Sequence, residues 1–545
     1  MTKPTHSTTN GLSRREVLAY GIGGLIATAS MSLPTSALAQ QANTLRIGLN
    51  ARDIGVLHPH VATGGNDVPV IASIFSGLVR YEPTRVNITA IQPDLAESWE
   101  MSDDFAVHTF HLRKGVQWHK GYGEVTSADV AYSLANVRDS EQSTFRPLYS
   151  NMGEIETPDD YTVVIHLNEP DPTFVTAMAN WQGGFVICRK AVEEMGDLYR
   201  TEPVGSGPFQ FERYTPQDNI SLTAHKDYYA GAPALERVVY SYVPDETSRR
   251  FAFVQQELDI IQGASNEDWL TEVVNSTPGN PKVDLLGPAR SVNLHMKATV
   301  EPLGNPLVRQ AIAHAINRDD FEQFFGPVFK GTNSSIPPSY FGGLKTADIP
   351  DELKYGFDPE KSKALLAEAG FPDGFEISTV CSERGDYLAL AQIVQERLSK
   401  VGIALKLDIL DHGSWVAAII KEKRGSLVWS ISSRYPSAEY LMREFFLCDA
   451  RVSQPSGVQG FAEYCNPDFD VAYQAAIASG DPDVRLEEFA KAQMIALKDL
   501  PVVPLGTMST PVLRQGYVNL GYEIAEGDDV TSLPYLYQLS PATSV

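Results

Sequence analysis

The chain has 545 residues, with 68 acidic against 44 basic side chains and a formal charge of −24. A surplus of that sign and size argues against nucleic acid and anionic membrane surfaces as partners. The length exceeds one ordinary hydrophobic core, so two or more lobes are expected.

The N-terminus reads as an export signal. Ser13-Arg14-Arg15-Glu16-Val17-Leu18 has the form of a twin-arginine motif, with Val17 where an aromatic is commoner. A Gly/Ala-rich apolar stretch runs from Leu18 to Leu33, and Ala37-Leu38-Ala39 offers small residues for cleavage. The departure at Val17 leaves ordinary Sec export as the alternative. A membrane anchor is the other reading, but the run is short, glycine-rich and ends in a cleavage site. Removing residues 1–39 takes the charge to −26, and no cysteine precedes Cys188, so no lipoprotein anchor is available. A free periplasmic protein of a Gram-negative bacterium is expected.

Leu45–Leu49 reads as a first strand, Arg52 to Val68 as loop, and Val70 to Val79 as a buried helix. Asp94 and Glu97 have the spacing to cap a short helix start. Val107 to Arg113 alternates with period two, as a strand does. Thr126 or Ser127 caps the next helix, where Thr126 and Asp129 have capping-box spacing and Val130, Leu134 and Val137 form one buried stripe. Tyr161, Val163, Ile165 and Leu167 alternate as another strand between proline-rich turns. Pro203 to Phe209 is a rigid Gly/Pro turn without the lysine or strand–helix context of a phosphate loop. Arg237 to Val243 is a strand. A long helix opens at Pro306 and runs through Ala315 and Ile316. Asp358-Pro359-Glu360 starts another with cap, proline at the first position and acid in the first turn, and Gly370 ends it. Gln395 to Val401 completes a helix and Ile403 to Ile409 is a strand.

These elements carry a resemblance. Pro93 to Leu134 (PDLAESWEM…ADVAYSL) resembles the signature segment of the family 5 extracellular solute-binding proteins. Leu258-Asp259-Ile260-Ile261 resembles that family's strand near the hinge, and Pro306 to Ile312 with Ala315 to Arg318 its VRQAI…AINR element. Asp358 to Phe375 resembles its DPEKAKALLAEAGFPDGF run almost residue for residue. Cys465-Asn466-Pro467 with Asp470, and Leu500 to Leu505, resemble later elements in the same order. The resemblance spans residues 45–515. It implies an α/β, two-lobed periplasmic-binding-protein fold of the large peptide-receptor type, with a hinge and an interlobe ligand cleft. Lobe I would comprise residues 40–294, with an extra subdomain at about 70–203, and lobe II residues 295–511, with 512–545 returning to lobe I. It also implies a small-molecule solute and an inner-membrane ABC permease as partners, with a monomeric receptor and no cofactor. Peptides, nickel complexes, opines and oligosaccharides are cargoes of such receptors.

Enzyme motifs are missing: the sequence holds no GxSxG elbow, HExxH pair, Walker loop or CxxC pair. Twin-arginine export, which often carries cofactor-loaded enzymes, keeps a periplasmic enzyme as the remote alternative. His58 and His60 flank Pro59, and His119 sits in a turn. Neither has a second ligand at metal-site spacing, so structural roles are expected and no metal is assigned. Cys448 and Cys465 are close in sequence and are expected to bridge in an oxidising compartment, with two unrelated thiols as the other reading.

The cargo is expected to be read after the Ile403 strand, in Leu427 to Glu439. Peptide-binding relatives place a tryptophan there and then an Asp-Tyr-Pro-Asp-Pro pattern whose first Asp pairs with the peptide amine. Here the matching position is Arg434, and the second Asp becomes Ser437. An ammonium about 4 Å from Arg434 would be repelled by roughly 4 kcal/mol at an effective dielectric near 20. A guanidinium instead grips a carboxylate or phosphate, so an acidic or polyhydroxylated ligand is expected: an opine, a sugar acid, an oligosaccharide or an N-blocked peptide. A di- or oligopeptide is the alternative, and Arg434 folding back onto Glu439 is the structural one. Trp429 and Tyr435 are candidates to stack on the ligand or to belong to the lobe core. Trp181, Arg146 and Asn66 complete the candidate site from the first lobe.

Overall fold

The computed structural model describes residues 43–62, 67–81, 91–179, 183–433, 437–451, 460–520 and 540–541. The expected export segment lies outside them. In chain order the strands used below are β1 (Thr44–Leu49), β2 (Ala96–Met101), β3 (Val107–Leu112), β4 (Met152–Asp159), β5 (Thr162–Leu167), β6 (Phe209–Thr215), β7 (Asn219–Ala224) and β8 (Arg237–Tyr242). There follow β9 (Ile260–Gln262), β10 (Lys282–Met296), β11 (Phe329–Gly331), β12 (Phe375–Ser382), β13 (Ile403–Leu410), β14 (Leu427–Ser433) and β15 (Val502–Arg514). The helices used are α1 (Val68–Ile74), α2 (Ser127–Asp139), α3 (Arg146–Tyr149), α4 (Pro306–Ala315), α5 (Pro359–Glu368), α6 (Gly385–Ser399), α7 (His412–Ile420), α8 (Ala438–Phe445), α9 (Pro467–Ala478) and α10 (Pro482–Asp499).

A nine-stranded mixed sheet runs β14-β10-β15-β9-β1-β8-β7-β6, with β11 added on β15. β1 pairs in parallel with β8 and β9, and β15 runs antiparallel to both β9 and β10. A separate four-stranded sheet, β2-β3-β5-β4, and a parallel pair, β12-β13, complete the main strands.

Two large cores flank the long sheet. The first gathers Ile47, Phe110, Val130, Ile165, Phe209 and Tyr240. The second gathers Val292, Leu294, Ile312, Leu390, Ile403, Trp429 and Leu505, and draws in Phe253 and Leu258 from earlier in the chain. Between them, β9 and β15 serve both sides. Ile260 and Val512 pack in the first core, while Ile261 and Leu513, paired in register, pack in the second. Successive residues of a strand face opposite sides, so one pair of strands joins two lobes without a break. The junction is pinned by Asp259, whose carboxylate accepts from Arg46 Nη2 at 2.6 Å and from Tyr517 Oη at 2.7 Å. Val518 and Leu520 then return to the first core.

The signature stretch is scaffold. β3 buries His108, Phe110 and Leu112 and turns the alternate residues outward. The Thr126–Asp129 capping box forms at the start of α2, and Val130, Leu134 and Val137 are buried. His119 is neutral and structural. Its Nδ1 accepts the Gly205 N–H, which leaves Nε2–H to donate to Gly207 O at 2.9 Å, and burial pushes its pKa down to about 3. Gly205 and Gly207 pass so close to the end of α1 that a Cβ on Gly205 would lie 2.0 Å from the Ile74 carbonyl oxygen. His60 is held likewise, by Asn136 and Phe185 O.

Two expectations are corrected. Asp94 does not cap a helix, because Ala96–Met101 is a strand paired antiparallel to β3, with Trp99 opposite Phe110. The Asp94 carboxylate instead accepts the Gly77 N–H at 3.0 Å and the Tyr229 hydroxyl, with Arg80 at 3.9 Å. The helix expected over Val70 to Val79 ends at Ile74. Phe75 turns extended, the Ile74 carbonyl is taken by Gly207 N–H, and Val79-Arg80 pairs with Gln92-Pro93.

Candidate ligand site at the strand ends of the second lobe

β12 and β13 are parallel, and Thr379 ties β12 to the start of β14 through both Leu427 N–H and Leu427 O. Their carboxyl ends reach Ser382, Leu410 and Ser433, where helices α6 and α7 begin. In open α/β sheets, crevices outside the carboxyl ends of strands are where ligands bind.

The side chains gathered there are distinctive. Arg384 occupies the N-cap position of α6 and pairs with Asp386 at 2.7 Å. The Arg384 guanidinium also lies 5.3 Å over the Tyr387 ring. Tyr387 packs against Trp415 with ring centroids 4.8 Å apart, and Trp415 stacks on His412, whose Nδ1 meets Ser382 Oγ at 3.0 Å. Burial keeps the His412 pKa below the usual imidazole range, with Arg384 adding to the effect.

Arg290, on β10, faces this group, and its backbone lies opposite Ser433 in the sheet register. Its Nη2 donates to Ser509 O at 2.9 Å. Its Nε is shut off from solvent and has no hydrogen-bond partner among the described residues. Burial lowers its pKa, Asp386 raises it and Arg384 lowers it further. Asp386 pairs with Arg384 and also acts on Arg290, so two guanidinium groups, one half exposed and one partly buried, share a single carboxylate. A shielded cation short of negative charge favours the arrival of an anion. Chemically the cluster suits a carboxylate or phosphate, with aromatic faces beside it.

Sequence reasoning missed Arg290. In sequence Arg290 alternates with the apolar Val292, Leu294 and Met296, which placed it on one side of a strand but did not point to its partners. Of the residues singled out from sequence, Asn66, Trp181, Arg434 and Tyr435 lie outside the described residues. Arg146 is exposed at the first position of the short helix α3, where its charge acts on Asp139. Trp429 is 1% exposed within the second core, opposite Leu294, and its indole N–H has no partner among the described residues. Ser437 caps α8, accepting the Glu439 N–H at 3.3 Å. Glu439 itself accepts from Arg485 of α10 at 3.2 Å. Cys448 and Cys465 are joined in a disulfide, and the buried thiols Cys188 and Cys381 are free. Among the described residues no group of three His, Cys, Asp or Glu side chains is placed to hold a metal ion.

The family described as bacterial extracellular solute-binding proteins, family 5, matches residues 90–452, from β2 past the end of β14. The chain belongs to this family. A solved structure of MoaA from A.tumefacien R10, in complex with mannopinic acid, is 33% identical with a TM-score of 0.80, covering 92% of this chain and 99% of that one. AgaA from the same source, in complex with agropinic acid, is 26% identical with a TM-score of 0.75, covering 92% and 99%. The dipeptide-binding protein of Escherichia coli (strain K12) is 25% identical over 527 residues, covering 90% of this chain and 94% of its own. The two-lobed fold and the role follow: this family 5 protein is the solute-binding component of an ABC importer.

Proposed function

We propose that this receptor captures an acidic, opine-like solute in its interlobe cleft and delivers it to an inner-membrane permease. The observation that carries the reading is the Arg290 guanidinium, whose sealed Nε has no partner among the described residues, beside Arg384, at the strand ends where the Arg434 segment begins. Support comes from the similarity to a mannopinic acid receptor at 33% identity. A carboxylate entering the cluster supplies negative charge, and Arg434 adds a third cation from the adjoining segment. Tyr435 and Trp181 supply aromatic surface, and Asn66 and Arg146 polar contacts, in the same reading, while Trp429 stays in the lobe core. The protein works as an exported periplasmic monomer, without cofactor, nucleic acid or covalent chemistry. Similarity to the dipeptide-binding protein keeps a peptide ligand as the second reading.

The test is a thermal-shift screen of the mature protein followed by calorimetry. Mannopinic and agropinic acids are expected to stabilise it, and free dipeptides to leave its melting temperature unchanged. Arg434→Ala is expected to weaken acid binding by at least tenfold. Strong stabilisation by unblocked dipeptides, unaltered in Arg434→Ala, overturns the reading in favour of a peptide receptor.

A further inference from the structure

The two lobes touch away from the strand-end cluster, and both partners of one contact are unusual. The β2–β3 hairpin turns at Ser102 to Ala106. Its Phe105 sits at φ 58°, in the left-handed region. That region is disfavoured for a bulky aromatic and persists only where the surroundings impose it. Here the turn is fixed on both sides. Phe105 N–H donates to Ser102 O at 2.9 Å, and Asp104 Oδ1 accepts from Ser102 Oγ and Ala106 N–H. Asp171 N–H then donates to Phe105 O at 3.2 Å, tying the hairpin tip to the loop after β5.

The Phe105 ring points at Gly480, in the turn between α9 and α10 of the second lobe. A Cβ built on Gly480 would lie 2.4 Å from Phe105 Cε2 and 2.5 Å from Cζ. Gly480 does not have the positive φ that would require glycine, and the three atoms nearest that Cβ position all belong to the Phe105 ring. What its missing side chain provides is room for the aromatic edge from the opposite lobe.

Beside this contact the charges oppose. Asp171, on the first-lobe side, acts on Glu439 and Tyr473 of the second, where Arg485 and Arg443 partly offset it. Two carboxylates brought together by closure repel, while the Phe105–Gly480 contact attracts. A hinge at β9 and β15 separates both when it opens.

We propose that Phe105 and Gly480 form an interlobe clasp that holds part of the receptor population closed before ligand arrives. Ligand affinity then scales with the fraction closed. The clasp stands on the two-lobed architecture and is independent of which solute is bound.

Small-angle scattering of the ligand-free mature protein tests it. Gly480→Val is expected to increase the radius of gyration, because the new side chain meets the ring before the lobes meet. Phe105→Gly removes the ring and relieves the backbone, and is expected to open the protein as well. In the Phe105→Gly background, Gly480→Val is expected to add nothing. Circular dichroism melts separate opening from unfolding, since each variant should keep the far-UV spectrum of the parent. Scattering curves for Gly480→Val that superimpose on the parent's overturn the clasp. So does an equal Gly480→Val effect with and without the Phe105 ring. Mannopinic acid, if it binds, is expected to bind Gly480→Val about tenfold more weakly. Failure of that acid to bind any variant bears on the proposed solute and leaves the scattering result standing.

Discussion

Asp94 in the first lobe is buried and Arg290 in the second partly so, and the chain treats these two ionisable groups in opposite ways. Asp94 is surrounded by its own protein: the Gly77 N–H, the Tyr229 hydroxyl and, farther off, Arg80. Arg290 keeps a sealed Nε without a partner among the described residues, and Asp386, whose charge acts on it, is engaged by Arg384. A scaffold satisfies its buried polar groups internally, whereas a binding site leaves some for the ligand. The signature stretch has one exception, His108, whose ring nitrogens are unpartnered among the described residues. It lies on β3 close to Asp171, next to the interlobe clasp and not at the strand-end cluster.

The contrast can be broken by removing each ion in turn. Asp94→Ala is expected to cost about 3–5 kcal/mol of folding stability, because it strands a buried amide and a hydroxyl beside a cation. Urea denaturation at neutral pH measures it, and the folded fraction should bind solute as before. A loss under about 1 kcal/mol would mean that the carboxylate is not the anchor of this junction.

Arg290→Met should behave with the opposite sign. Replacing a partly buried, incompletely partnered guanidinium by an apolar side chain of similar length is expected to leave unliganded stability unchanged or slightly higher. Binding of an acidic solute should fall by about 2–4 kcal/mol, roughly 30- to 1,000-fold. Calorimetry and denaturation on the same preparation give both numbers. A destabilised variant with intact affinity would move Arg290 into the scaffold class with Asp94.

The same contrast explains what was legible in the sequence. Scaffold elements announce themselves by local rules. Val107 to Leu112 alternates, Thr126 and Asp129 have capping spacing, and Asp358-Pro359-Glu360 starts a helix with Asp358 accepting the Lys361 N–H. β2 escaped because it has no buried face to read: five of its six residues are partly or fully exposed, so Ala96-Glu97-Ser98-Trp99-Glu100-Met101 shows no alternation. Asp94 and Glu97 then mimicked a cap. Trp429 was legible only as an alternative, ligand contact or lobe core, because Leu427, Val428 and Trp429 are all apolar and all pack in the second core, leaving no alternation to decide between them. The Arg290 cluster was not legible, because it joins residues from β10, α6 and β15, the last 219 positions away. No local period encodes such a meeting.

The smallest of these effects is a pH dependence at the lobe junction. Burial, reinforced by Asp171, raises the Glu439 carboxyl from its ordinary value to about 7, against the opposing pull of Arg485 and Arg443. Tyr473 also faces it. A carboxyl whose folded pKa is raised binds its proton more tightly when folded. Its contribution to stability is therefore fully present below about pH 4.5 and is lost as pH rises through about 7. The side chain is 28% exposed, so the full shift is discounted to about 2 kcal/mol. The buried histidines act in the reverse sense. His58, His119 and His295, held down to about 3, favour folding above the ordinary imidazole range and lose that contribution as pH falls. The raw stability profile mixes both, so the informative quantity is the difference between the parent and Glu439→Gln. That difference is expected to favour the parent or be flat at pH 4.5 and to swing toward the variant by pH 8. Because Asp171 contributes only when the lobes meet, an Asp171→Asn variant should shrink the swing. A swing of equal size in Asp171→Asn would assign the raised pKa to burial within the second lobe alone, and would detach it from closure.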